Sequence, residues 1–247
     1  MARPDEFAML IPGATTNNGE LKVASPYDGS EIATVTAADA AAVDRALENA
    51  DRAFRDRDRW LEPHRRIAIL EKTVALMAER ADDLALGAAR EGGKPLVDSK
   101  VEVTRAIDSL KGCIEVLRTQ SGREIPMGLT PASTGRVAFT RKEPIGVVVA
   151  VSAFNHPLNL IVHQVGPAVA AGCPVIVKPA EETPLSCYRF IDMLRRAGLP
   201  AEWCQALVVN DIADATRLVT DPRVAFFSFI GSARVGWMLR SKLAPGT

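Results

Sequence analysis

Lys178 and Glu181 stand three residues apart just after the short apolar run Val175-Ile176-Val177. A lysine and a carboxylate so placed at a strand end can hydrogen-bond the two hydroxyls of a ribose, the carboxylate accepting from the 2′ position. Further along, Phe229-Ile230-Gly231-Ser232 leads into a helical pattern. Gly231 permits close backbone approach there, and Ser232 with the free amides of a first helical turn can take a pyrophosphate. Taken singly, the first pair reads rather as a solvated ion pair, and the second equally as a plain N-cap. Together they would hold a sugar and a diphosphate over one sheet edge. The segment Ser152-Ala153-Phe154-Asn155-His156-Pro157 follows another apolar run, 145–151, but it is not the GxGxxG fingerprint, and no P-loop occurs in the chain. The cysteines Cys113, Cys173, Cys187 and Cys204 lie far apart, without a CxxC pair or a histidine at zinc spacing. Neither a metal nor a disulfide framework is expected.

The elements that would position these residues follow from periodicity. Residues 20–36 alternate around Leu21, Val23, Ile32 and Val35, with the turn Pro26-Tyr27-Asp28-Gly29 between them, which predicts a hairpin. From 36 to 118 the period is helical: Val43, Leu47, Ala50 and Phe54; Ile67, Leu70, Val74 and Met77; Val103, Ile107, Leu110, Ile114 and Leu117. Gly92-Gly93 and Pro95 interrupt this layer. A Gly/Pro-rich loop, 121–131, precedes an alternating segment, 136–142, that reads as an amphipathic strand. Beyond Pro144, apolar runs at 145–151, 175–177, 206–209 and 224–229 alternate with helical segments at 158–171, 184–197, 213–219 and from 232 onward. Thr183 is the expected N-cap of the second of these helices, with Pro184 at its first position and Gly198 past its end. The alternation predicts an α/β fold, a Rossmann-like doubly wound parallel sheet covered on both faces.

At 247 residues the chain suits one large domain with an appendage. Thirty basic and thirty acidic residues cancel, so no electrostatic footprint for nucleic acid or an anionic membrane is present. No apolar stretch approaches a membrane span, and residues 1–13 do not resemble a secretory leader. A soluble cytoplasmic protein is expected. Ala244-Pro245-Gly246-Thr247 reads as a connection, so a further segment is expected beyond it.

Several blocks, in this order, resemble the aldehyde dehydrogenase superfamily: Glu91-Gly92-Gly93-Lys94-Pro95, Pro144-Ile145-Gly146-Val147, Phe154-Asn155-His156-Pro157-Leu158, Gly166-Pro167-Ala168, the run from Ala171 to Glu181, Thr183-Pro184, Gly198-Leu199-Pro200 and the run from Phe229 to Gly236. The likeness extends from about Leu21 to the end of the chain. It implies an N-terminal hairpin and helical part of a cofactor domain over 1–125, a small β oligomerisation arm over 126–144 and the Rossmann-like NAD(P)-binding part over 145–247, with the catalytic domain missing. By the resemblance, Lys178 and Glu181 hold the adenosine ribose, Ser232 beside Gly231 meets the pyrophosphate and Val235 lies near the adenine. Phe154, with Ser152 and Ala180, belongs to the cofactor cleft. The cofactor is NAD, because a 2′-phosphate would meet like charge at Glu181; Lys178 can offset that repulsion, which leaves NADP open. A homodimer or homotetramer is implied as well.

Asn155 matches the family's catalytic asparagine. In that chemistry a cysteine thiolate attacks the aldehyde carbon, and the tetrahedral thiohemiacetal carries negative charge on the former carbonyl oxygen. A preorganised amide donor stabilises that charge; hydride then leaves to the nicotinamide and the resulting thioester is hydrolysed. Outside the matched block, Asn155 would read as a cap of the following helix.

The family's nucleophilic cysteine and general-base glutamate lie C-terminal to the position of Thr247, so this chain is expected to carry cofactor-site elements without turning over aldehyde. The alternative is a truncated noncatalytic nucleotide-binding or assembly protein. A short-chain reductase would want a Tyr-xxx-Lys pair, and neither Tyr27 nor Tyr188 has a lysine four residues on. Three departures stand out: Phe154 where the family often has Trp, Gln164 where it often has a lysine linked to proton relay, and Asn210-Asp211 where it often has a glycine-rich turn. The acidic side chain in that turn could crowd or repel a phosphate. His156, Leu160 and His163 are spaced to share a helical face. By the resemblance that face looks toward the aldehyde tunnel, and two histidines there point to a polar or anionic aldehyde.

Overall fold

A computed structural model describes residues 5–247. Residues 1–4, part of the segment read above as unlike a leader, lie outside the described residues. β1 (Asp5–Phe7), β2 (Glu20–Ala24) and β3 (Glu31–Ala38) form a small sheet in which β2 and β3 make the expected hairpin and β1 joins β3 in parallel. The helical layer follows as α1 (Ala40–Arg55), α2 (Pro63–Glu79), α3 (Ala81–Gly92) and α4 (Leu96–Thr119). Asp39 starts α1 by accepting from the Ala42 amide at 2.8 Å, and the stripe Ala42, Val43, Ala46, Leu47 and Ala50 is buried. α3 ends at Gly93, whose left-handed φ of 63° suits a residue without Cβ, and Pro95 caps α4.

The strand expected over 136–142 is reduced to β5 (Ala138–Phe139), paired with β4 (Glu124–Ile125) in a two-stranded ribbon. Val137 is 83% exposed and Phe139 76%, so the alternation buries neither side and has no core to extend the ladder.

The remaining elements are β6 (Val147–Val151), α5 (Asn159–Ala171), β7 (Val175–Lys178), α6 (Leu185–Ala197), β8 (Cys204–Ala206), β9 (Val208–Val209), α7 (Ile212–Thr220), β10 (Val224–Phe229) and α8 (Ala233–Arg240). The predicted parallel sheet forms in the order β10-β6-β7-β8, every neighbour parallel. Its residues divide by the strand period. Val147, Val149 and Ile176 pack with α1 and α7, whereas Val148, Ala150, Val175 and Val177 pack with α2, α4, α5 and α6. Each fully buried valine or isoleucine contributes about 1.5–3 kcal/mol, which explains why these strands read as continuous apolar runs.

The strand expected over 206–209 is broken at Leu207. Leu10 donates to the Ala206 carbonyl at 2.9 Å, and the chain then leaves the sheet so that Val208 and Val209 pair with Ala37 and Ala38 of β3. The N-terminal sheet and the parallel sheet are therefore stitched along one segment.

Two buried glutamates tie the helical layer to the sheet. Glu91, at the end of α3, accepts from the Leu185 amide at 2.7 Å, the Ser186 amide at 2.9 Å and the Ser186 hydroxyl. Glu102, in α4, accepts from the Leu158 and Asn159 amides at 2.8 and 3.0 Å. Each carboxylate thus serves as the missing cap of a sheet helix, at the end where the helix dipole favours negative charge. Thr183 is correspondingly not the N-cap of α6: Pro184 holds that position, and the Thr183 hydroxyl reaches the Phe154 carbonyl at 3.4 Å instead.

Gly146 enters β6 with φ 142°, and a Cβ there would meet the Ala225 Cβ at 2.5 Å. Gly146→Ala is expected to separate β6 from β10 and lower stability by about 2 kcal/mol. A urea midpoint within error of the wild type would contradict this.

Candidate functional site

The tips of β7 and β10 and the α7 and α8 helices enclose a hollow of about 450 Å³ lined by Lys178, Glu181, Val209, Asp211, Val235 and Leu239, among others. Lys178 is only 8% exposed, and its ammonium is ion-paired to Glu181 at the wall. Asp211 caps α7 through the Ala213 amide at 2.8 Å, and Asn210 donates to the Asn18 carbonyl at 2.7 Å. The departure from a glycine-rich turn therefore has an intramolecular use.

A second hollow, about 430 Å³, is lined by Gly231, Ser232, Trp237 and Arg240. Phe229 lines both hollows. Its ring lies over the mouth of α8, where a Cβ on Gly231 would come within 2.6 Å and one on Gly236 within 3.0 Å. A side chain at either glycine would press on this ring. Ser232 caps α8, its hydroxyl accepting from the Val235 amide at 3.4 Å.

The sequence-predicted residues are brought together in part. Lys178, Glu181 and Val235 share one hollow, and Gly231 and Ser232 line the next; Ser152, Phe154, Asn155 and Ala180 line neither. Ser152 and Ala180 are buried beside the tips of β6 and β7, and the Ser152 hydroxyl has no hydrogen-bond partner among the described residues. Phe154 is 57% exposed. Asn155 is exposed in the turn beyond β6, where its carbonyl accepts from Lys94 Nζ at 3.4 Å. Its side-chain amide has no protein partner among the described residues, and the start of α5, which it would otherwise cap, is served by Glu102.

The face carrying His156, Leu160 and His163 is turned toward α4. His156 Nδ1 lies 3.1 Å from Lys94 Nζ, and His163 Nε2 lies 2.7 Å from the Ser109 hydroxyl, at one end of an apolar groove of about 470 Å³ between α4 and α5. Leu160 is half-buried and lines none of these hollows. Gln164 donates to the carbonyls of Val151 and Ser228 at 3.2 and 3.0 Å, so the side chain standing in for a lysine clamps the ends of β6 and β10.

Sequence reasoning missed the roles of Glu91, Lys94 and Glu102. The signal was present: Glu91 continues the buried stripe Leu84-Ala88, and Glu102 falls between Ser99 and Ala106 on the buried side of α4. A charge on an apolar stripe has to be paid for by a partner. Burial pushes the Glu91 carboxyl up to about 7 despite its three donors. Burial likewise raises the thiols, Cys204 up to about 12 and Cys113 and Cys187 upward, and none of the four cysteines lines the two hollows at the strand tips. Among the described residues no group of three or more His, Cys, Asp or Glu could hold a metal ion, and no helix is long and apolar enough to cross a membrane.

This is a protein of the doubly wound α/β class, with polar side chains gathered at its strand tips. Residues 14–246 match the Aldehyde dehydrogenase family, and the chain belongs to that family. The 3-sulfolactaldehyde dehydrogenase of Priestia aryabhattai is 33% identical over 238 residues, 96% of this chain and 49% of that protein. The succinate-semialdehyde dehydrogenase [NADP(+)] of Escherichia coli K12 is 34% identical over 233 residues, 92% of this chain and 46% of that protein. Aldehyde dehydrogenase 21 from Physcomitrella patens, solved with its reaction product succinate, superposes with a TM-score of 0.91 at 31% identity, covering 98% of this chain and 52% of that one. The chain spans about half the length of the curated relatives it matches.

Proposed function

We propose that this chain is the cofactor-holding half of an NAD(P)-dependent aldehyde dehydrogenase that oxidises an anionic aldehyde to the acid, with Asn155 as the oxyanion donor. The observation that carries the reading is the hollow shared by Lys178, Glu181 and Val235. Its walls Val209, Val219, Val235 and Leu239 suit the faces of a purine, and the Lys178–Glu181 couple at its wall suits the two ribose hydroxyls. Ser232 and the first-turn amides of α8 would take the diphosphate. A nicotinamide dinucleotide, when bound, supplies the hydride acceptor. The chain's own part is to seat it and to offer the Asn155 amide where negative charge develops. Glu181 and Asp211 both line the hollow, which favours a free 2′-hydroxyl and hence NAD over NADP.

The anionic substrate class is supported by His156 beside Asn155, by His163, and by the relatives, whose names speak of a sulfonated aldehyde and a carboxylated semialdehyde. The nucleophilic thiol is assigned to a segment outside this chain, since none of its own cysteines lines the hollows at the strand tips and burial raises the thiols of Cys113, Cys187 and Cys204. The exposed β4–β5 ribbon serves as the arm for self-association.

Calorimetric titration of this chain with NAD and with NADP tests the cofactor reading. NAD is expected to bind the more tightly, and Glu181→Ala to weaken NAD by about tenfold, the loss of one charge-assisted hydrogen bond. No heat with either nucleotide would end the proposal; equal affinities would remove the NAD preference alone.

A further inference from the structure

Lys94 leaves the turn after α3 and enters the space between α4 and the turn that carries Asn155. Its side chain is 15% exposed and that of Glu102 is fully buried. An ammonium group carries three hydrogens and no lone pair. Three acceptors face it: Glu102 Oε2, His156 Nδ1 at 3.1 Å and the Asn155 carbonyl at 3.4 Å. Because Lys94 can only donate, His156 Nδ1 has to present its lone pair, and the ring proton resides on Nε2. Glu102 does not compete for an Nδ1 proton. Its Oε2 is 3.7 Å from that nitrogen, beyond hydrogen-bond range, and its Oε1 is occupied by the Leu158 and Asn159 amides. The His156 side chain is 42% exposed and Nε2 has no protein partner among the described residues, so this N–H is available next to the Asn155 amide.

We propose that Lys94, anchored by Glu102, is a positioning residue that holds the Asn155–His156 turn and fixes His156 as a neutral Nε2–H donor offered to an acceptor of the substrate. Its use by substrate rests on the reading of this turn as the aldehyde site; the tautomer itself does not. On this account an anionic group meets a neutral donor held in place by a cation behind it.

The histidines His64, His156 and His163 make the test tractable. Long-range proton–nitrogen correlation of the 15N-labelled chain at neutral pH is expected to show one protonated and one lone-pair nitrogen for His156, assigned by their loss in His156→Gln, with the proton on Nε2. Lys94→Met is expected to release the ring, averaging its two nitrogens toward a tautomer mixture, while Lys94→Arg keeps the wild-type pattern. The His163 signals, tied to Ser109, report that each variant is folded. A proton on Nδ1, or on both nitrogens, in the wild type overturns the proposal without recourse to any variant, as does an unchanged His156 pattern in a folded Lys94→Met. Failure of NAD titration with the tautomer intact would instead sink the cofactor reading alone.

Discussion

Glu91→Ala is expected to destabilise this chain by about 3 kcal/mol, read as a lowered urea midpoint. The substitution leaves the buried Leu185 and Ser186 amides and the Ser186 hydroxyl without their acceptor, and each orphaned group costs about 1–3 kcal/mol. The start of α6 also loses the carboxylate that complements its dipole. The same residue imposes a pH dependence whose sign follows from its shift. Burial raises the folded-state carboxyl from 4.5 to about 7, with the hydrogen bonds to Ser186 and Leu185 opposing. Stability from this group is therefore complete below about pH 4.5 and is lost as pH climbs through about 7, a change on the order of 3 kcal/mol across the window. Glu91→Gln cannot ionise and should remove that part of the slope. Urea unfolding of both proteins from pH 4 to 8 checks it. Parallel pH profiles would show that the carboxyl ionises equally in the folded and unfolded chain.

Asn155→Ala is expected to lower kcat by about 10²–10³, some 2.7–4 kcal/mol, once this chain is joined to a cysteine-bearing catalytic segment. On the proposed reading the loss belongs in kcat, because the amide would act where charge develops on the former carbonyl oxygen, more than in the ground state. The exposed side chain makes no hydrogen bond among the described residues, so truncating it should leave the fold and NAD affinity intact. An unchanged kcat would remove Asn155 from the oxyanion site, and a matching loss of stability would return it to a structural role.

Much of the sheet was legible because burial on both faces writes a strand as an uninterrupted apolar run, as in Val147 to Val151 and Val175 to Val177. Polar atoms that satisfy one another across long separations leave no such local trace. Thr183 carries the expected residue type for a cap, but Glu91, more than ninety residues earlier, already occupies the amides it would have served. The break at Leu207 likewise depends on Leu10 arriving from the far end of the chain. Periodicity around Val137 and Phe139 was genuine but unrewarded, for both side chains stay largely exposed. In the site, Lys178 and Glu181 were readable as a pair because they follow the apolar run of β7, whereas Val235 came from the family likeness. The turn carrying Asn155 and His156 is contacted by Lys94 and Glu102 from the helical layer, and those contacts were invisible without coordinates.

Placing the caps of α5 and α6 on an earlier layer has a consequence for synthesis. Glu102 must wait 56 residues for Leu158, and Glu91 must wait 94 for Leu185. Until those later segments are made, neither carboxylate has the amides that it serves in the fold. Closing those long loops joins the two layers, and separating the chain between residues 102 and 158 would leave charge on one side and open helix ends on the other.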